Sequence, residues 1–110
     1  MSNRIQADWL VLDSLEDASG QFCIDFFHRP DGSYGFEAFR RAAEDQGLWE
    51  PLSHYSILQF TELRDCLHEA INRFEWLADS LADPETIKSY LQRIAAKRDS
   101  RSGLILATFH

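Results

Sequence analysis

Cysteine is scarce in this chain. Cys23 and Cys66 are its only two, and they show no metal-type or redox-type spacing. Each sits alone in an apolar segment, which reads as a pair of buried thiols in a reducing compartment. Glycine is equally sparse: Gly20, Gly32, Gly35, Gly47 and Gly103 are scattered and form no phosphate-binding loop. No apolar run reaches the ~18 residues of a membrane span. The opening residues Met1-Ser2-Asn3-Arg4-Ile5-Gln6 contain no apolar signal core. The expectation is therefore a cytoplasmic protein that does not associate with membranes.

Catalytic patterns are also missing. His28, His54, His68 and His110 never fall at ligand spacing with each other or with the cysteines. Ser56 lies in no nucleophile-elbow pattern, and its neighbours His54 and Tyr55 read as strand-end polar residues. Asp8, Asp13, Glu16, Asp17 and Asp25 read as solvated carboxylates. The reading is a non-enzymatic protein that needs no cofactor and no metal.

Apolar mass and acidic charge are abundant. Of 110 residues, 45% are apolar and 13% aromatic, enough to fold a core without staples. This fits one α+β domain over residues 1–110. The net charge of −7 is unevenly spread. Residues 1–85 hold 6 basic against 17 acidic side chains, or −11, and residues 86–110 hold 5 against 1, or +4. An acidic body disfavours nucleic acid, because polyanions are repelled.

The most informative stretch is Gln21–Arg41, where two alternating segments flank Pro30-Asp31-Gly32. Proline suits the first central position of a type I turn, and glycine supplies the left-handed residue that follows. Such a loop pairs residues whose numbers sum to about 62. One face of the hairpin then carries Phe22, Ile24, Phe26, His28, Tyr34, Phe36, Ala38 and Arg40. The other carries Cys23, Asp25, Phe27, Arg29, Gly35, Glu37, Phe39 and Arg41. This register sets Phe27 over Gly35, where a ring can shield bare backbone, and it sets Asp25 against Glu37, a like-charge pair.

Gln6–Leu15 predicts a strand before the hairpin, and Leu48–Leu58 predicts an irregular strand after it, cut by Pro51. Leu63, Cys66, Leu67, Ala70, Phe74, Leu77, Ala78 and Leu81 follow helical spacing over about five turns, with Thr61 as the cap. This long helix is expected to lie across the apolar sheet face. Asp83-Pro84-Glu85 starts a second helix, which Ser102-Gly103 is expected to stop. Residues 104–109 have the length of a strand. Within the last stretch, 100–110, a short added strand, a swapped segment and a free tail all fit. The architecture is thus an antiparallel meander of three to four strands followed by two helices.

Two surfaces follow. Phe27, Phe39, Arg29 and Arg41 gather on the outer hairpin face, and Arg93, Lys97 and Arg101 form a stripe on the second helix. Phe and Arg together suit a protein interface, including one between copies of this chain. The same group suits stacking of single-stranded bases. A third reading places a small ligand or substrate in a cleft beside His28 or His54. In element order, a curved meander with a helix across it, the chain resembles the Whirly-like single-strand binders. That resemblance implies nucleic-acid binding on the sheet, but those sheets are basic and this one is acidic.

Overall fold

The computed structural model describes residues 8–42 and 47–108, with side chains to Asp99. Four strands form one antiparallel sheet in chain order: β1 (Leu10–Glu16), β2 (Phe22–His28), β3 (Tyr34–Ala42) and β4 (Leu48–Pro51). A 3₁₀ turn at Tyr55–Ile57 leads into α1 (Leu63–Arg73), α2 (Glu75–Ser80) and α3 (Pro84–Thr108). This is the expected α+β meander with its helices C-terminal to the sheet. No described helix is long and apolar enough to cross a membrane.

The hairpin register is the one that the turn chemistry requires. Phe22 pairs with Arg40, Phe26 with Phe36 and His28 with Tyr34, each pair summing to 62. At the tip, the Gly32 N–H donates to the Arg29 carbonyl and the Arg29 N–H to the Ser33 carbonyl, both at 2.9 Å. The Asp31 carboxylate accepts the Ser33 N–H at 2.9 Å. Gly32 takes φ +90°, a value that L side chains rarely adopt.

With the register fixed, the inner face gathers Ile24, Phe26, Phe36 and Ala38, and the helices cover it with Leu67, Ala70, Leu77, Tyr90 and Ile94. Phe26 and Phe36 are fully buried, worth about 1.5–3 kcal/mol each in apolar transfer. A bulge in β1 adds to this layer: Val11 pairs with Phe27 and Asp13 with Phe26, leaving Leu12 as the extra residue. Both bulge residues then point inward. Leu12 joins the core, and Asp13 accepts the Tyr90 hydroxyl of α3 at 2.9 Å.

Three expectations need correction. The long helix is broken at Phe74, whose φ −130° and ψ 108° are extended. Leaving the helix lets its ring meet Tyr55 edge-on at 5.4 Å, and Tyr55 in turn stacks on Phe36. Thr61 is not the cap; Glu62 holds that position and makes no side-chain cap bond. Gly103 does not stop α3, whose backbone runs on to Thr108. Residues 104–108 are therefore helical rather than a strand, and Phe109 lies outside the described residues. By contrast Asp83 caps α3 as expected, accepting the Thr86 N–H at 2.9 Å. That bond holds its carboxyl below the ordinary range.

A Cβ at Gly32 would meet nothing within 4 Å. Any cost there is conformational. Gly32→Val should lower stability by roughly 1–2 kcal/mol in urea unfolding, and Gly32→Asn by less, because Asn tolerates the left-handed region. Equal losses for the two would contradict this reading of the turn.

Candidate functional site on the outer sheet face

The outer face is divided into a closed end and an open end. At the closed end Phe27 lies over Gly35, so that a Cβ on Gly35 would sit 2.6 Å from the Phe27 ring and 2.7 Å from Arg29 Nη2. Trp9 stacks on Phe27 with centroids 4.8 Å apart. The Arg29 guanidinium lies 4.6 Å from the Trp9 ring and 4.9 Å from the Phe27 ring. It donates to the carbonyl of Tyr34 and the hydroxyl of Ser33, both at 3.1 Å, and to the carbonyls of Ser56 and Leu58.

The segment from Leu52 to Phe60 curls around the free part of the β3 edge. It begins and ends with backbone bonds to β3, from Leu52 to Ala38 and between Phe60 and Tyr34. Tyr55 goes to the inner side. The Ser56 and Leu58 carbonyls meet Arg29, and the Ser56 N–H donates to Glu37 Oε1 at 2.9 Å. Phe27 is 0% and Arg29 5% exposed as a result. The expectation of an exposed Phe27 and Arg29 is corrected here. Their cover is Trp9 and an irregular segment. Desolvation draws the Arg29 pKa down, with Asp31 opposing, yet a guanidinium stays charged.

Arg41 is also engaged within the chain. It donates to the Gly20 carbonyl at 2.9 Å and the Gly47 carbonyl at 3.2 Å, and lies 4.4 Å from the Trp49 ring centroid. On α3, Arg93 faces Asp13 at 3.5 Å and the Tyr90 ring at 4.9 Å. Lys97 is exposed. The Arg101 side chain lies outside the described residues. Among the described residues the two predicted surfaces thus remain separate, one on the sheet and one on α3, and Phe39 lines an open region of the sheet face.

That open region is a groove of about 450 Å³ at the other end of the same face. Cys23 and Phe39 line it beside Trp49 and Leu48, with Ser14, Glu16 and Asp25 on the remaining wall. Leu48 is 56% exposed and Phe39 only 4%. The groove joins apolar surface to two carboxylates. Reading the sequence found Phe39 but not Trp49 or Leu48, because β4 is only four residues long and too short for alternation to show.

The Cys23 thiol points to Asp25 Oδ1 at 3.4 Å. Burial first, then the Asp25 charge, push its pKa up to about 12. Burial pushes Cys66 up to about 12 as well. Neither is a nucleophile near neutral pH. His28 stacks on Tyr34 at 4.6 Å, and His54 precedes the 3₁₀ turn. Neither histidine lines this groove. No cluster of three metal-ligating side chains occurs among the described residues.

Gly35→Ala should lose about 1–3 kcal/mol in urea unfolding, since rigid backbone and a packed ring leave the methyl no room. Arg29→Met should lose about 2–3 kcal/mol, because buried carbonyls would lose a charged donor. Wild-type stability in both variants would refute the locked-end description. The thiols give a pH test. They titrate near 9 when unperturbed and about 12 when folded. They therefore support the fold below pH 9 and lose that support as pH rises toward 12. At pH 8 the native protein should react with an aromatic disulfide reagent on the order of a thousandfold more slowly than the urea-unfolded chain. Fast native labelling of Cys23 would contradict the assignment.

No family model, curated protein or solved structure matches the chain, so the groove is read from its own residues.

Proposed function

We propose that this protein is a non-enzymatic protein-interaction module, and that its groove takes a partner segment pairing an apolar side chain with a lysine or arginine. The supporting observation is the composition of the groove: Phe39, Trp49 and Leu48 beside Glu16 and Asp25. Apolar surface supplies affinity, while aromatic rings and carboxylates favour a cation. The one thiol that lines the groove, Cys23, stays protonated near neutral pH and offers no nucleophile there.

A second copy of the chain also meets the partner description, through the exposed Lys97 on α3. Base stacking has less support. Phe27 and Arg29 are enclosed, and the open end carries carboxylates, which repel phosphates.

Titration of the ¹⁵N-labelled protein with a blocked Leu-Arg-Leu-Lys peptide should shift the Trp49 indole and the Cys23 and Phe39 amides. Saturation is expected with a dissociation constant of about 1 mM or tighter. Glu16→Lys and Leu48→Glu, both at exposed positions, should each weaken it about tenfold. A peptide with Glu in place of Arg and Lys should not bind. Indifference of the groove resonances to the basic peptide, together with a monomer in sedimentation at high concentration, would end this reading.

A further inference from the structure

A second trench lies on the far side of the molecule, between α1 and α3, with a volume of about 680 Å³. It continues into a smaller hollow of about 280 Å³ that shares Arg64 and Leu91 with it. The two helices run antiparallel here: His68 and Arg64 of α1 border Ile87 and Leu91 of α3, and Leu63 borders Ala95. Ile87, Leu91 and Ala95 recur at i, i+4, i+8 and form a half-buried apolar floor. That floor is roughly 12 Å long at 1.5 Å per residue. Arg64 stands exposed on one bank and Lys88 on the other.

These two cations differ from most of the others. Arg29, Arg40, Arg41, Arg73, Arg93 and Arg98 each have a carboxylate or carbonyl partner. Arg64 and Lys88 make no hydrogen bond or ion pair with a described residue. In a chain of net charge −7, carboxylates are plentiful, yet these banks are left to solvent. Asp83 also borders the trench and keeps its charge while accepting the Thr86 amide, so the lining carries two cations against one carboxylate. Glu62 lies only in the smaller hollow.

We infer that this trench receives an acidic amphipathic helix from a protein partner, its apolar stripe on Ile87 and Leu91 and its carboxylates on Arg64 and Lys88. A floor repeating every turn between two antiparallel helices is the seat of a third helix. The trench is more open than enclosed, which suits a helix better than a small ligand needing enclosure. Another copy's α3 is a poor occupant, because it would bring Lys88 and Lys97 against like charges. The inference is independent of the sheet-face groove and uses different residues.

The probe is a blocked twelve-residue helical peptide with Leu at i, i+4 and i+8 and Glu on the flanks, with a Lys-flanked peptide as its control. Calorimetry on the full chain should give micromolar binding of the acidic peptide and none of the control. Arg64→Glu with Lys88→Glu should weaken the acidic peptide at least about tenfold and allow the Lys-flanked one to bind. Both positions are exposed, so the melting temperature should hold, and Leu48→Glu should leave the trench titration unchanged. The inference is overturned by absence of acidic-peptide binding, or by binding that ignores the double reversal. It is also overturned if dodecanoate alone binds, or if the double reversal dissolves a self-association seen in sedimentation.

Discussion

Both faces of the sheet inherit their composition from the alignment of β2 with β3. Side chains alternate along a strand, so a slip of one residue would turn one strand over relative to the other. Either Phe26 or Phe36 would then leave the core, and Asp25 or Glu37 would enter it in its place. The loop prevents this by combining a proline, a carboxylate that accepts the Ser33 amide, and a glycine at φ +90°. The helices find an apolar layer to cover only because that loop holds its residues in step.

A sheet of four strands with helices on one side still has a second side. Here that side is managed unequally. Gly35 permits Phe27 and Arg29 to lie flat against the strands, and Trp9 closes over them. The buried guanidinium then serves as a hub, collecting carbonyls from β3 and from the segment beyond β4. That segment has little regular structure, and the arginine supplies donors that a strand partner would otherwise have provided. The other end has no such cover: Leu48 is open, and Arg41 braces the two neighbouring turns without roofing the groove.

How much of this the sequence discloses depends on how local the cause is. The hairpin register follows from three consecutive residues and from alternation, and the start of α3 from Asp83-Pro84-Glu85. Both are decided within a few residues. The break at Phe74 is not, because the helical spacing continues through it and only the distant Tyr55 draws the ring away. The burial of Arg29 is hidden for the same reason. Its partners Ser56 and Leu58 lie 27 and 29 residues away and act through backbone oxygens, which have no sequence signature. Phe39 was legible as an outer-face aromatic, whereas Trp49 and Leu48 come from a strand too short to show a period. The α1–α3 trench depends on how two helices pack beside each other, which neither helix's own pattern records.

Charge gives the two open regions opposite characters. The sheet groove carries Glu16 and Asp25, and the helix trench carries Arg64 and Lys88. An acidic body raises the encounter rate of a basic partner on any approach, so the sheet groove works with the overall field. The trench works against it, and the acidic partner proposed for it would have to be held by contacts made within about a Debye length, ~8 Å at physiological salt. Added salt should therefore weaken the two associations differently. Screening removes both long-range steering and local pairing at the sheet groove. At the trench it removes local pairing but also relieves the repulsion from the acidic body. Salt dependence therefore separates the two proposed associations by the sign of the long-range term alone.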